Sequence, residues 1–385
     1  MDSMVKLSQN GSTRATRYSQ SNKIVTLDGK THVAWLDAGS KTMIKTYDSN
    51  VQRWSESVHV GTGKDNHGGP ALTCDSQGYL HILFGPHHNP FQHCRSSRPN
   101  NSSDWIMVGE VAQRATYPSI VCDEQDTLHL IYRRSFEAAP WKLMYQRKPK
   151  EDTWSKPVEI AAAPEKGYAH FHAGITIANN QSLHIAYDIY HDGKAKCAGH
   201  LMSRDEGNTW TLADGSKVQL PIAPTSDVFF RNTREALKVW AVVCDCVGHP
   251  WISIQDNAVG QAELFHWNGQ KWCSIKPAES IVEANEIDAI GVEGCLTIDT
   301  KGYLYLTAYH GNDLVVLKTR GNDMSFKVCG VVPRADGEPI MGPNLERPTG
   351  HNSVDTPWLI FYRGDRGTDC IGSGIQNDVY GFRLV

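Results

Sequence analysis

The chain has 385 residues, of which 40% are hydrophobic and 21% charged, with a formal net charge of −4. That length supports a sizeable core in one large all-β domain or in two domains, and the weak acidic balance with no Lys/Arg run gives no reason to expect a nucleic acid or membrane partner. No apolar run approaches membrane-spanning length, and the first twenty residues lack the apolar core of a signal peptide, so the chain is expected outside the cell with its leader absent, a cytoplasmic location being the other reading.

In chain order, a first strand is expected around Thr13–Val25, and a hairpin unit then recurs. An Asp/Gly-type turn precedes an apolar strand at Leu27-Asp28-Gly29 before Thr31–Trp35, Asp75–Gly78 before Leu80–Phe84, and Asp123–Thr127 before Leu128–Tyr132. The same pattern follows at Asn179–Ser182 before Leu183–Tyr187, Asp245–His249 before Trp251–Ile254, Asp299–Gly302 before Tyr303–Leu306, and Ser353–Pro357 before Trp358–Tyr362. A second marker keeps the same beat: Trp54, Trp105, Trp154, Trp210 and Trp272, with Phe326 in the sixth place, each follow a short polar turn. One such turn, Ser203-Arg204-Asp205-Glu206-Gly207-Asn208-Thr209-Trp210, matches the Asp-box found between the outer strands of sialidase-type propeller blades.

Repeats of this length, with no long helical pattern, predict an all-β fold: a seven-bladed β-propeller with Asp-box-like turns, forming a single domain over residues 1–385. Closure is expected from the Thr13–Val25 strand lying beside Asp378–Phe382. A six-bladed ring with one irregular hairpin is the alternative, and the long, regular period disfavours a β-sandwich.

The propeller turns a list of residues into a place. Starts of the first strands and ends of the second strands share one end of the ring. The starts offer His67, Tyr117, His170 and His172, Arg231 or Arg234, Asp288 and Arg347, and the ends offer His87, His88, Arg133, Arg134, Tyr187, Tyr190, His191, Asp256, Tyr309, His310 and Arg363. His81, His129 and His184, repeated inside second strands, are expected to be packing residues. Imidazoles, phenols and guanidinium groups together supply proton acceptors near neutral pH, a phenol able to act as base or acid, and a fixed cation shaped for a carboxylate. No Asp/Glu pair stands out, which disfavours two-carboxylate glycoside hydrolysis. The set suits β-elimination, in which a cation on a uronate carboxylate stabilises the dianionic enolate that forms as the C5 proton leaves.

Asp65-Asn66-His67…Pro70, Gly85-Pro86-His87-His88-Asn89-Pro90, Arg95-Ser96, Arg98-Pro99, Thr116-Tyr117-Pro118 and Tyr132-Arg133 resemble the BNR-repeat propeller polysaccharide lyases. That group includes ulvan lyases and lyases cutting rhamnosyl-glucuronate linkages. The resemblance implies a catalytic set of His67, His87 or His88, Tyr117 and Arg133. Tyr117 would act as base and acid, a histidine would assist, and Arg133 would neutralise the carboxylate. Arg134, His172, Tyr187, Tyr190, Arg234, Tyr309, His310 and Arg363 would bind substrate. The implied partner is an acidic polysaccharide or oligosaccharide, cut by a monomer that needs no cofactor for the chemistry.

Some ulvan lyases of this type carry a structural zinc. Here His191, Cys197 and His200, in what reads as an insertion-like loop, are the candidate ligands for a structural zinc or calcium ion, although their spacing matches no standard finger. A rhamnosidase-like glycoside hydrolase and a non-catalytic carbohydrate-binding propeller remain as alternative functions.

Overall fold

The computed structural model describes residues 4–191, 195–233, 237–256, 261–277, 295–320, 323–334, 338–367 and 374–384. Among these residues the regular elements are β-strands, assembled into five antiparallel sheets with propeller-like packing. Two sheets are large. One runs through Ile340–Leu345, Trp358–Arg363, Asn377–Arg383, Val5–Gly11, Lys30–Asp37 and Lys41–Asp48. The other runs from Ala71–Cys74 to Val158–Lys166 through the long strand Asn101–Cys122. Three four-stranded sheets lie between Ala173 and Val332. The core is divided among apolar clusters between neighbouring sheets, such as the one joining Ile131, Leu143 and Tyr145 to Ile175, Ile185 and Leu201.

The recurring aspartate has a local cause. Asp75 Oδ1 accepts the backbone N–H groups of Gln77 and Tyr79 at 3.0 and 2.8 Å. Asp123, Asp245 and Asp299 cap their turns in the same way. Each satisfies turn donors that a side chain without an acceptor would leave bare. The expected packing histidines do more than pack: His81 and His129 point Nε2 at Asp75 and Asp123. In the Asp-box, Asp205 accepts Thr209 N and Oγ1, and Trp210 is buried edge-on against Tyr145 of the preceding sheet at 5.2 Å.

The N-terminal strand differs from expectation. Val5–Gly11, not Thr13–Val25, pairs with Asn377–Arg383. Residues 13–23 instead cross the interior of the molecule, and their polar side chains tie to first strands of several sheets. Thr16 Oγ1 donates to Gly342 O at 2.6 Å, Ser19 Oγ to Trp240 O at 3.1 Å and Asn22 Nδ2 to Leu72 O at 2.8 Å. Ser119 Oγ donates to Gln20 O at 2.8 Å. A run of Thr, Ser and Asn suits this task because buried backbone carbonyls need donors, and an apolar strand has none to give.

Candidate active site

The site is built where two loops touch. Glycine is required there: a Cβ on Gly63 or Gly68 would lie 2.8–2.9 Å from the backbone of Gly85. This approach, with Gly85 N donating to Gly68 O at 3.2 Å, brings His67 and His87 into a stack with ring centroids 4.1 Å apart. Asp65 holds both rings. Its Oδ1 faces His67 Nδ1 at 3.2 Å and accepts His67 N at 2.8 Å, and its Oδ2 faces His87 Nδ1 at 2.7 Å. Burial alone would push the Asp65 carboxyl up, but the His67 and His87 hydrogen bonds hold it well below the usual carboxylate range. The carboxylate therefore orients both rings through Nδ1 and turns each Nε2 away from itself.

His67 Nε2 meets the Nη1 of Arg14, which also donates to Tyr18 OH at 2.6 Å. Because a guanidinium has only donors, His67 Nε2 is held as acceptor and the ring is neutral. Burial and the Arg14 charge agree, outweighing Asp65 to bring the His67 pKa down to about 4. His88 turns elsewhere, with Nδ1 2.6 Å from Ser135 Oγ and its ring edge-on to Trp141. Of the two neighbouring histidines, His87 is the one that shares Asp65 with His67.

Tyr117 sits among these groups. The pairing of Asn101–Cys122 with Leu128–Arg134 is irregular between Thr116 and Ser119, and Tyr117 adopts φ +61° there. A non-glycine residue in the left-handed region costs on the order of 1–3 kcal/mol and is kept where its side chain must be re-aimed. Its ring lies 4.7 Å from Tyr18, 5.8 Å from His172 and 6.4 Å from His67.

Arg133 lies over the same ring. Its guanidinium is 4.5 Å from the Tyr117 centroid, 4.9 Å from Trp141 and 5.8 Å from Tyr168. It is 1% exposed, and its three side-chain nitrogens have no hydrogen-bond partner among the described residues. Aromatic faces offset part of the cost of burying this charge, and no carboxylate among the described residues does so.

On the far side, Asp188 is fully buried and positions His172, accepting its backbone N–H and facing its Nδ1, each at 3.1 Å. His170 stacks on His172 at 5.1 Å, and burial together with the charges of His172 and Arg133 pulls its pKa down to about 2. A cleft of about 160 Å³ is lined by Tyr18, His67, Tyr117, Tyr168, His170 and His172, with Arg14, Arg17, Lys238, Trp240 and Arg366 contributing at its walls.

The other expected site residues fall elsewhere. Tyr187 is core: it is fully buried against Phe229 and Gly199, because strand alternation turns Asp188, its neighbour, toward the site. Arg134, on the face opposite Arg133, stacks on Phe136 at 4.9 Å. Tyr190 is peripheral, edge-on to His170 at 5.5 Å. Tyr309 and His310 end the strand Tyr303–His310 outside the cleft lining. Arg363 is engaged structurally, with Nη2 donating to Pro333 O at 2.8 Å. Arg234 and Asp288 lie outside the described residues.

The expected metal ligands do not converge, and the expected loop is in fact a hairpin, Leu183–His191 with Ala195–Ser203. Cys197 Sγ points to Ile189 O, and His200 Nε2 meets His184 Nδ1 at 3.0 Å. Cys197 and His200, three apart on one strand, face opposite sides.

Sequence reasoning missed Arg14, Tyr18, Asp65, Trp141, Tyr168 and Asp188 as site residues. Of these only Asp65 left a signal, since an Asp two residues before a His can cap that residue's N–H and orient its ring at once.

Residues 30–279 match the family model described as BNR repeat-containing family member. An ulvan lyase from Alteromonas sp. (strain LOR) is 24% identical over 304 residues, which is 64% of this chain and 61% of that protein. Ulvan Lyase-PL25 from Pseudoalteromonas sp. (strain PLSV) is 23% identical over 349 residues, covering 75% of this chain and 69% of that one. Among solved structures, a PL25 ulvan lyase superposes with a TM-score of 0.76 at 17% identity, covering 99% of this chain and 96% of that chain. The matched region thus spans under two thirds of the Alteromonas relative and somewhat more of the Pseudoalteromonas one. With the repeats, the propeller-type sheets and this match over most of its length, the chain belongs to the BNR repeat-containing family.

Proposed function

We propose that the chain is a polysaccharide lyase that cleaves the bond to O4 of a glucuronate by β-elimination, in a rhamnose–glucuronate polymer of the ulvan type. One observation carries the reading: a buried guanidinium without a counter-carboxylate, Arg133, lies against a phenol whose backbone is strained to present it, Tyr117. A buried cation of this kind is suited to an anion that arrives with the substrate. The relatives named as ulvan lyases, and a PL25 structure bound to -[GlcA(1-4)Rha3S]-, supply the substrate class.

In this reading the uronate carboxylate replaces an aromatic neighbour at Arg133. Tyr168, 55% exposed, is the neighbour at the solvent side of that group. The Tyr117 oxygen, acting in its deprotonated form, takes the C5 proton. The C5–H electron pair becomes the C4=C5 double bond as C4–O4 breaks, and Tyr117 returns the proton to O4. H5 and O4 lie on one face of glucuronate, so one phenol serves both steps. Arg133 and the His87 Nε2 edge stabilise the developing enolate. Asp65 and Asp188 are both committed to imidazoles, so the described residues lining the cleft offer no free carboxylate pair for hydrolysis.

A seven-bladed count belongs to the same reading. It is supported by the seven apolar clusters found among the described residues, each between consecutive four-strand groups, one of which joins Trp358 and Ile360 to Ile24 and Trp35. In this count the two large sheets are each a fused pair of blades.

The test is to incubate the purified chain with ulvan and follow ultraviolet absorbance from the conjugated unsaturated uronate, with mass spectrometry of the products. Elimination gives the absorbance and products without added water. Hydrolysis, with one added water per cut and no absorbance, overturns the reading.

A further inference from the structure

The turn aspartates form a series with one exception. The side chain six residues on reaches Oδ2 from His81 in the Asp75 turn (3.3 Å), His129 in the Asp123 turn (3.0 Å) and Tyr305 in the Asp299 turn (3.0 Å). In the Asp245 turn that position is Trp251, which cannot accept this role. His266 from the next strand lies flat on Trp251 at 3.9 Å and aims its own Nε2 at Asp245.

The resulting distances do not suit hydrogen bonds. His266 Nε2 is 3.5 Å and His249 Nδ1 4.0 Å from Asp245 Oδ2, against about 2.7–3.2 Å for a hydrogen bond. His266 is 6% exposed and its Nε2 has no hydrogen-bond partner among the described residues. Ligands held at about 2.0–2.1 Å around a tetrahedral centre are separated by roughly 3.4 Å, so the 3.5 Å pair fits as it stands and the 4.0 Å pair needs a small inward shift of the His249 ring. One atom from each of the three residues lies within 4.8 Å of the others. Asp245 Oδ1 is spent on the turn, accepting Val247 N and His249 N, so Oδ2 alone faces the gap. Gly269, at φ +91°, makes room for the His249 ring, since a Cβ there would stand 3.2 Å from it.

The two other clusters of this kind are already satisfied. In the Asp65, His67 and His87 cluster both carboxylate oxygens are engaged by the rings, and His67 Nε2 meets the Arg14 cation. Asp126, beside Cys122 and His351, is paired with Lys150 at 2.6 Å, and His351 Nε2 donates to Asp123 O at 2.7 Å.

We propose that Asp245, His249 and His266 form a zinc site that fastens the turn at 245–249 to the strand Gln261–Trp267. Two imidazole nitrogens and one carboxylate oxygen favour zinc over calcium or magnesium, which take oxygen ligands. The site lies at the far end of the strand Leu237–Cys244 from Lys238 and Trp240, which line the cleft. It is therefore independent of the lyase reading.

The full chain, stripped with a chelator, is titrated with Zn²⁺ alone by calorimetry, and Tm is measured with and without the ion. The expected result is one zinc per chain and a Tm raised by zinc. Asp245→Asn, which keeps a turn-capping oxygen, and His249→Asn, at the surface, should each weaken binding at least about tenfold. His249→Cys should restore it. Both Asn variants should keep the metal-free Tm and the cleavage activity of the parent. No zinc bound by the parent chain, or equal affinity in the parent, Asp245→Asn and His249→Asn, would overturn the proposal.

Discussion

The Arg133 guanidinium lies 4.5 Å over the Tyr117 ring, and no carboxylate among the described residues neutralises it. Burying a charge in this state opposes folding, so the arrangement is explained by what binds there and not by what it does for the fold. Arg133→Met is therefore expected to fold with a Tm equal to or above that of the parent while losing about 10²–10³-fold or more in kcat. Arg133→Lys should not rescue activity, because an ammonium lacks the planar fork that meets a carboxylate with two donors. Thermal melts and initial rates on the same preparations check both halves, and a marked fall in Tm for the Met variant would assign Arg133 to the fold.

Asp65 orients two imidazoles at once. Asp65→Asn keeps the size but can accept from only one ring, leaving the other to flip or change tautomer. The expected loss in kcat is about 10²–10⁴-fold with KM nearly unchanged, the scale seen when an orienting carboxylate is made an amide. A change confined to KM would make Asp65 a binding residue.

Arg14 holds His67 neutral through Nε2. In Arg14→Gln the nearby charge is gone, so the His67 pKa should rise from about 4 toward its ordinary 6.5. Imidazole NMR titration of the variant against the parent reads this directly, and the acid limb of the kcat/KM profile should move up with it. An unmoved titration would mean that burial alone keeps the ring neutral.

Several histidines are neutral in the fold. His32 and His67 are brought down to about 4, His184 to about 3 and His170 to about 2, burial being the leading cause in each case. Each folded pKa is below the unfolded value near 6.5, so as pH falls from 6.5 the unfolded chain takes up protons that the folded chain refuses. Their contribution to stability is full above pH 6.5 and declines toward pH 4. Glu346, pushed up to about 7 by burial, slopes the other way between its ordinary 4.5 and 7, but it is one group against four. Tm should therefore be lower at pH 5 than at pH 7, and an equal or higher Tm at pH 5 contradicts this balance.

The parts of the molecule legible in the sequence are those whose cause is local. Asp75, Asp123, Asp245 and Asp299 repeat because each caps its own turn within four residues. His67, Tyr117 and Arg133 could be placed together because hairpin geometry returns strand ends to one edge. Tyr187 was read in place of Asp188 because end-of-strand position does not fix which face a residue takes, and a step of one residue exchanges core for cleft. Arg14 and Tyr18 were illegible for a different reason. Residues 13–23 have partners at Leu72, Pro118, Trp240 and Gly342, all far along the chain, and no periodicity marks a segment that crosses between sheets.

Removing a single oxygen atom tests the central claim. Tyr117→Phe keeps the ring that Arg133 and His172 contact, so the chain should fold and bind a glucuronate-containing oligosaccharide as the parent does. Release of unsaturated product by this variant, followed by ultraviolet absorbance at saturating substrate, should fall at least about 10³-fold. Unsaturated product formed at a rate within a few-fold of the parent would show that another group moves the proton, and the account built on Tyr117 would be wrong.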